Sequence, residues 1–321
     1  MKAIVQYKYG TPDVLELKEV EKPVARDDEL LVKVHAASVN AADWFVLTGL
    51  PIVVRPAFGT IRPRHKIPGQ DLAGTVEAVG KNVTQFKPGD EIFGENHNTF
   101  AEYVCVPEKG MALKPAVLSF EEAAAVPLAA LTALQGLRDV GKVQPGHGVL
   151  INGASGGVGT FAVQIAKAFG AEVTGVCSTR NIQMVRSIGA DHVIDNNKQD
   201  FTGTEKRYDV VFDLVGNPSL PACRSALVPG GILVMSAGGK GRWIGPIGRI
   251  IKAMATGPFV KNKMKPFVAS PNTTDLDELR DLIEAGKLSP VIDRRFTLKE
   301  VPEAMRLQGE GHAQGKKIIV I

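Results

Sequence analysis

Apolar and polar positions trade places from Lys2 to Tyr7 and again from Glu29 to His35, the period-two pattern of half-buried strands. The short apolar runs GTVEAVG and EIFG follow, each closed by glycine, with Pro23, Pro51, Pro56, Pro63, Pro68 and Pro88 punctuating the region. Short strands broken by frequent turns predict a compact barrel-like or sandwich domain rather than a wound α/β sheet.

From about residue 121 the period changes. SFEEAAAVPLAALTALQGLRDV reads as two helical pieces divided at Pro127, and Ser119 with Glu122 makes a capping box at the start. Strand and helix then alternate through GVLINGA, GTFAVQIAKAFG, AEVTGVC, NIQMVRSIGA, HVIDN, YDVVFDLVG, ACRSAL and GILVMSA. Apolar strands separated by helices predict parallel pairing through right-handed crossovers, a doubly wound sheet. The tail is mixed again: DLDELRDLIEAG and EVPEAMRLQ read as helices, VIDRRFTL and GKKIIVI as strands.

Length and composition narrow the class. A chain of 321 residues, 44% hydrophobic and 22% charged, has room for two globular domains. A net charge of +4 helps attract a phosphorylated cofactor but is too small and scattered to suggest nucleic-acid binding. Cys105, Cys177 and Cys223 lie far apart and form no CxxC pair, so a reducing compartment is expected. No apolar run is long enough to span a membrane and MKAIVQYKYG has no signal-peptide character, which leads to the expectation of a soluble, cytoplasmic protein.

Gly153-Ala154-Ser155-Gly156-Gly157-Val158-Gly159 follows an apolar strand and opens a helix. In that context glycines let backbone approach a pyrophosphate, and the free N–H groups of the helix start favour the anion. A site for NAD usually carries an acid at the end of the next strand, accepting from the ribose hydroxyls. Here that strand ends Cys177-Ser178-Thr179-Arg180-Asn181, and two hydroxyls with a guanidinium suit a 2′-phosphate better. NADPH is therefore the expected cofactor; an arginine merely solvated on its loop is the alternative reading of Arg180.

The motifs AASVNAADW, IPGQDLAGTVEAVG, FKPGDEIFG, TFAEYVCVPE, EEAAAVPLAALTAL, INGASGGVGTFAVQIAKAFGAEVTGV, SIGADHVID and GKKIIVI occur in this order. Together they resemble the medium-chain dehydrogenase/reductase superfamily, and within it the zinc-free quinone oxidoreductase branch, over nearly the whole chain. The resemblance implies a GroES-like β-rich catalytic domain from residues 1–120 and 271–321, with a Rossmann NADPH-binding domain of residues 121–270 inserted between. It also implies a homodimer, paired through the sheet edge where KMKPFVAS would lie. Where zinc-dependent relatives carry a ligand cysteine and a Gly-His-Glu motif, this chain has Asn40 and Gly69-Gln70-Asp71, and amides are poor ligands for Zn²⁺. The six histidines form no paired metal spacing, so no metal is expected.

Without a metal, the charge that builds on a substrate oxygen after hydride transfer must be held by hydrogen-bond donors or by water. Quinones and α,β-unsaturated carbonyl compounds need the least help, so the expected reaction is their NADPH-dependent reduction. An alcohol/aldehyde oxidoreductase, or an NADPH-binding sensor or structural protein with little turnover, are the other readings. Asn40, Asp43 and Trp44 are the candidates for the reaction centre, with Asp43 alternatively capping its turn and Trp44 either a substrate wall or core. Where relatives often carry a tyrosine, this loop has Leu47, Leu50 and Phe58, which leaves no obvious proton donor. For the cofactor, the resemblance adds Thr132 and Lys316, the latter equally readable as a solvated lysine, and Asn196 where relatives often have tyrosine. Val215-Gly216 and Ala237-Gly238-Gly239 sit at strand ends, where open α/β sheets bind ligands. A basic apolar segment around residues 240–265 reads as a cover for the substrate cleft or a subunit contact, with membrane contact the less favoured reading.

Overall fold

The computed structural model describes residues 1–236, 248–249, 251–253, 262–311 and 314–321. Its strands in the first part of the chain are β1 (Lys2–Val5), β2 (Glu16–Glu19), β3 (Glu29–Val39), β4 (Asp71–Val79), β5 (Glu91–Glu95), β6 (Tyr103–Pro107) and β7 (Met111–Leu113). The central part contributes β8 (Gly148–Asn152), β9 (Glu172–Cys177), β10 (His192–Asp195), β11 (Tyr208–Asp213), β12 (Leu227–Met235) and β13 (Lys263–Pro266). The tail adds β14 (Ile292–Thr297) and β15 (Lys316–Val320). The helices are α1 (Ala41–Thr48), α2 (Arg55–Phe58), α3 (Phe120–Ala124), α4 (Pro127–Gln135), α5 (Gly157–Ala168), α6 (Ile182–Ser187), α7 (Leu220–Ser225), α8 (Thr273–Glu284) and α9 (Val301–Gly309).

Two compact units result, one of residues 1–131 and 271–321, the other of residues 132–270. The first unit carries a seven-stranded sheet in the order β14-β15-β3-β4-β5-β7, with β6 added beside β3. Strand β3 organises it. Its first half, Glu29–Lys33, pairs with β6, and its last residues, Ala36–Val39, pair with β15 from the other end of the chain. Its pairing with β4 shifts register at Leu31/Val32 and again at Val34/Ala36, the second shift falling where β3 passes from one partner to the other. Leu30, Val32, Val34, Leu72, Val76, Ile92 and Val104 bury one face of this sheet.

The second unit is a six-stranded parallel sheet in the order β10-β9-β8-β11-β12-β13. The first strand in sequence, β8, lies in the middle, and the chain winds outward from it in both directions. That is the Rossmann order, with its topological switch point between β8 and β11. The strands here are buried on both faces, which explains their continuous apolar runs: Val149, Leu150, Ile151, Val210, Val211 and Phe212 are all sealed from solvent.

The helical signals have their expected physical form. The Ser119 hydroxyl accepts the Glu122 amide at 3.3 Å while the Glu122 carboxylate accepts the Ser119 amide at 2.8 Å, which starts α3. Pro127 has no N–H to continue that helix, and α4 begins there. No helix among the described residues is long and apolar enough to cross a membrane. Gly238, most of the 240–265 segment and the neighbouring Ala237 and Gly239 lie outside the described residues.

Candidate functional site

In the first unit, β3 stops at Val39 and α1 starts at Ala41, so Asn40 takes the N-cap position with extended backbone angles. Its own N–H donates to the Asp43 carboxylate at 2.8 Å, which closes the first turn. The Asn40 side chain takes the reciprocal place in this capping box, toward the Asp43 backbone, and also reaches two buried charged groups. Its amide donates to Asp71 Oδ2 at 2.8 Å, and its oxygen accepts from the Lys316 ammonium at 2.5 Å.

Asp71 opens β4 and is completely buried. Its Oδ2 also accepts from Ser38 Oγ at 2.7 Å and from Lys316 Nζ at 3.1 Å, and its Oδ1 accepts the Leu128 amide at 3.0 Å. Lys316, at the head of β15, is only 2% exposed, so its charge is matched inside the protein by Asp71. Strand pairing brings these residues together from distant positions: β15 and β4 flank β3 on either side, at the end where β3 leads into Asn40.

Asp43 is 1% exposed and accepts from Asn40 N and from Gln70 Nε2, the latter at 3.2 Å. Burial pushes its carboxyl up to about 7, with the Asp71 charge adding to the rise and the two donors and Lys316 opposing it. Glu95, the last residue of β5, is pushed up to about 8 by burial and by the charges of Asp71 and Asp43, against the pull of Lys316. Trp44 packs into the apolar cluster of Ile4, Leu47, Val301 and Met305, with its ring against Gly309 so closely that any side chain there would collide with it. Trp44 is partly buried there, at the edge of the cluster.

In the second unit the glycine turn joins β8 to α5. Gly153 adopts φ of +93°, a left-handed conformation that favours glycine. A Cβ on Gly159 would run into the Gly153 carbonyl oxygen, whereas Gly156 meets nothing closer than 3.4 Å. Gly159 thus lets α5 sit on its own turn, and Gly156 leaves space in front of it. No side chain caps Gly156, and the amides of Gly157, Val158 and Gly159 lie in the first helical turn, where no intrahelical acceptor exists. Ala154 is buried and its amide bonds the Val176 carbonyl, while Ser155 Oγ accepts from Asn181 Nδ2 at 2.9 Å. Space, free amides and the positive helix end together fit a pyrophosphate.

The residues expected at a 2′-phosphate lie at the end of β9. Ser178 precedes the single turn Thr179–Asn181, and Arg180 on that turn is exposed. Asn196 is held beside it by a backbone bond to the Cys177 carbonyl at 2.9 Å. Sequence reasoning missed one contact here. Thr179 Oγ1 donates to Asp195 Oδ2 at 2.7 Å, so its proton is spent within the protein and Arg180 is the cationic group of this turn.

Val215 and Gly216 follow β11 at the switch point. Their amides donate to Asp213 Oδ1 at 3.2 and 2.9 Å, and Asn152 at the end of β8 donates to the same oxygen at 2.8 Å. Val215 is exposed, and its side chain reaches toward Gly153, so the two turns are neighbours at the carboxyl ends of adjacent strands. Thr132 is buried within α4. Asn40, Asp43 and Lys316 therefore meet in one cluster of the first unit. The glycine turn, the turn after β9 and the turn after β11 crowd the strand ends of the second. Ser38, Asp71 and Glu95 are the members that sequence reasoning missed; Asp71 stood beside Gln70 in the GQD motif, and Glu95 had only its place at a strand end to mark it.

The alcohol dehydrogenase GroES-like domain family matches residues 26–116, and the zinc-binding dehydrogenase family matches residues 188–319. The 2-methylene-furan-3-one reductase of Solanum lycopersicum is 35% identical, over 99% of this chain and 79% of its own length. The solved quinone oxidoreductase of Coxiella burnetii superposes with a TM-score of 0.87 at 30% identity, over 100% of this chain and 99% of that one. The quinone oxidoreductase of Escherichia coli, solved in complex with NADPH, gives a TM-score of 0.85 at 25% identity over the full length of both. With this fold, this glycine turn and amides at Asn40 and Gln70, the chain belongs to the zinc-free quinone oxidoreductase branch of the medium-chain dehydrogenase/reductase superfamily.

Proposed function

We propose that the protein is an NADPH-dependent, metal-independent reductase that transfers hydride to quinones or α,β-unsaturated carbonyl compounds. The observation that carries this reading is the Asn40–Asp71–Lys316 cluster. Where a zinc-dependent relative needs an electropositive metal, this chain buries an ammonium group next to an amide. The names of the relatives, an enone-type reductase and quinone oxidoreductases, support the same substrate class.

NADPH when bound supplies the hydride, from C4 of its nicotinamide. The chain's own residues do the rest. The free amides of Gly157, Val158 and Gly159 hold the pyrophosphate, with Ala154, Ser155 and Gly156 shaping the turn beneath it. Arg180 pairs with the 2′-phosphate, assisted by Ser178 and Asn196. Val215, Gly216 and Thr132 line the approach of the nicotinamide half. Lys316 and Asp71 fix the Asn40 side chain from both ends, which leaves one amide N–H of Asn40 without an acceptor among the described residues. That N–H is the donor for a substrate oxygen on which charge develops, a preorganised contact of the oxyanion-hole kind. Asp43 and Trp44 keep α1, and with it Asn40, in place. Lys316 thus acts through Asn40 rather than on the cofactor.

The reading extends to a homodimer through the edge strand β13, the last strand in the sheet order, and to a cytoplasmic location, in keeping with three free thiols. Its test is NADPH consumption with a 2-alkenal, a quinone and a saturated aldehyde of matched chain length. Turnover of the first two with little of the third is expected. Preferential turnover of the saturated aldehyde would instead favour an alcohol/aldehyde oxidoreductase, and measurable NADPH binding without turnover of any would favour a sensor.

A further inference from the structure

Hydride addition to the β-carbon of an enone leaves an enolate, and the reaction is complete only when a proton arrives. The Asn40 cluster holds several acids but few transferable protons. Asp71 accepts four hydrogen bonds, three on Oδ2 and one on Oδ1, all from N–H or O–H donors. Both oxygens of Asp43 accept as well, from Asn40 N and Gln70 Nε2, and the residue is sealed from solvent. Lys316 donates to Asn40 and to Asp71 and is 2% exposed.

Glu95 differs from all three. Among the described residues its carboxyl has no hydrogen-bond or ion-pair partner, and it is partly exposed. In the sheet register it stands opposite Asp71, which stands opposite Ser38, so the three side chains form one row across β5, β4 and β3 on the face that carries the cluster. The charged groups facing it are Asp71 from β4, Asp43 from α1 and Lys316 from β15.

We propose that Glu95 is the acid that returns a proton to the reduced substrate, filling the role that the missing tyrosine leaves open. The inference rests on the reductase reading above. With NADPH bound, the β-carbon would receive hydride, two electrons with one hydrogen. The Glu95 O–H bond breaks as a C–H bond forms at the α-carbon, or an O–H bond at a quinol oxygen. The carboxylate left behind recovers its proton from water. The sum is one enone, one NADPH and one proton going to one saturated carbonyl and one NADP⁺. Because the Glu95 carboxyl is pushed up to about 8, it carries its proton at neutral pH and is positioned to act as an acid.

The test compares wild type, Glu95→Gln and Glu95→Asp in alkenal reduction from mildly acidic to alkaline pH, with thermal unfolding over the same range. Wild-type kcat is expected to fall as pH rises through about 8. Glu95→Gln should lower kcat about 100-fold, leave the KM for NADPH unchanged and abolish the alkaline limb. Glu95→Asp should be slower than wild type yet keep that limb. Unfolding gives a readout independent of turnover. A carboxyl raised from an ordinary 4.5 to about 8 stabilises the fold below its unfolded value, and that contribution is lost as pH rises through about 8. Glu95→Gln should therefore flatten this part of the Tm profile. If wild type is active and Glu95→Gln keeps both its kcat and the alkaline limb, Glu95 is not the donor. If Glu95→Gln does not fold, Glu95→Asp decides: wild-type kcat overturns the proposal, and a lowered kcat with the limb kept supports it. If wild type reduces neither alkenal nor quinone, the reductase reading itself fails and takes this inference with it.

Discussion

At the scale of single residues, the site turns on one buried ion pair. Lys316 and Asp71 are both removed from water, and each is tolerable only because of the other and of Asn40, Ser38 and the Leu128 amide around them. Lys316→Met keeps the length of the side chain and removes the charge, leaving Asp71 buried without its cation. We expect a loss of about 3–5 kcal/mol in unfolding free energy, measured by denaturant titration. Adding Asp71→Asn should recover part of that loss, since no charge is then left unpaired. Equal stability of wild type and Lys316→Met would mean that the pair does not hold the site together. The sequence made Asn40, Asp43 and Lys316 visible individually because residue type at a known motif position is local information. Their meeting was not legible, since it depends on β3 pairing with β4 on one side and β15 on the other. Glu95 was illegible for the same reason: only the register with Asp71 carries it to the site. Thr179 shows the converse, a hydroxyl well placed by sequence whose proton goes to an acid on the next strand.

At the scale of elements, the glycine turn is where sequence and structure agree most closely. Four glycines at fixed offsets after an apolar strand already define a tight turn opening a helix, and the structure assigns them different duties. Gly153 supplies a left-handed backbone, and Gly159 lets α5 approach its own turn. Gly159→Ala places a methyl group against the Gly153 carbonyl and should force α5 off the turn. The expected cost is about 1–3 kcal/mol in stability, together with a clear loss of NADPH affinity by fluorescence titration. Gly203→Ala, at a site where a Cβ meets nothing within 4 Å, is the matched control and should leave both unchanged. An unaltered NADPH affinity in Gly159→Ala would show that the turn does not hold the cofactor. The capping box at Ser119 and the division at Pro127 were equally readable, because each rests on chemistry within a few residues.

At the scale of the whole molecule, the change from period-two alternation to strand–helix alternation and back marked the two kinds of unit. The structure gives the first unit both chain ends, residues 1–131 and 271–321, with β15 as an inner strand of its sheet. Strand order was beyond the sequence pattern alone, since all the parallel strands are similarly apolar and nothing local distinguishes the central β8 from the outer β10. The proposed reaction is hydride transfer with a buried ammonium and amide, Lys316 and Asn40, in place of a metal. The most direct test follows NADPH oxidation by purified protein with a 2-alkenal and with 9,10-phenanthrenequinone, before and after exhaustive treatment with a zinc chelator. Unchanged rates after chelation are what the Asn40–Asp71–Lys316 cluster predicts; activity that disappears with the chelator and returns with added Zn²⁺ would contradict it.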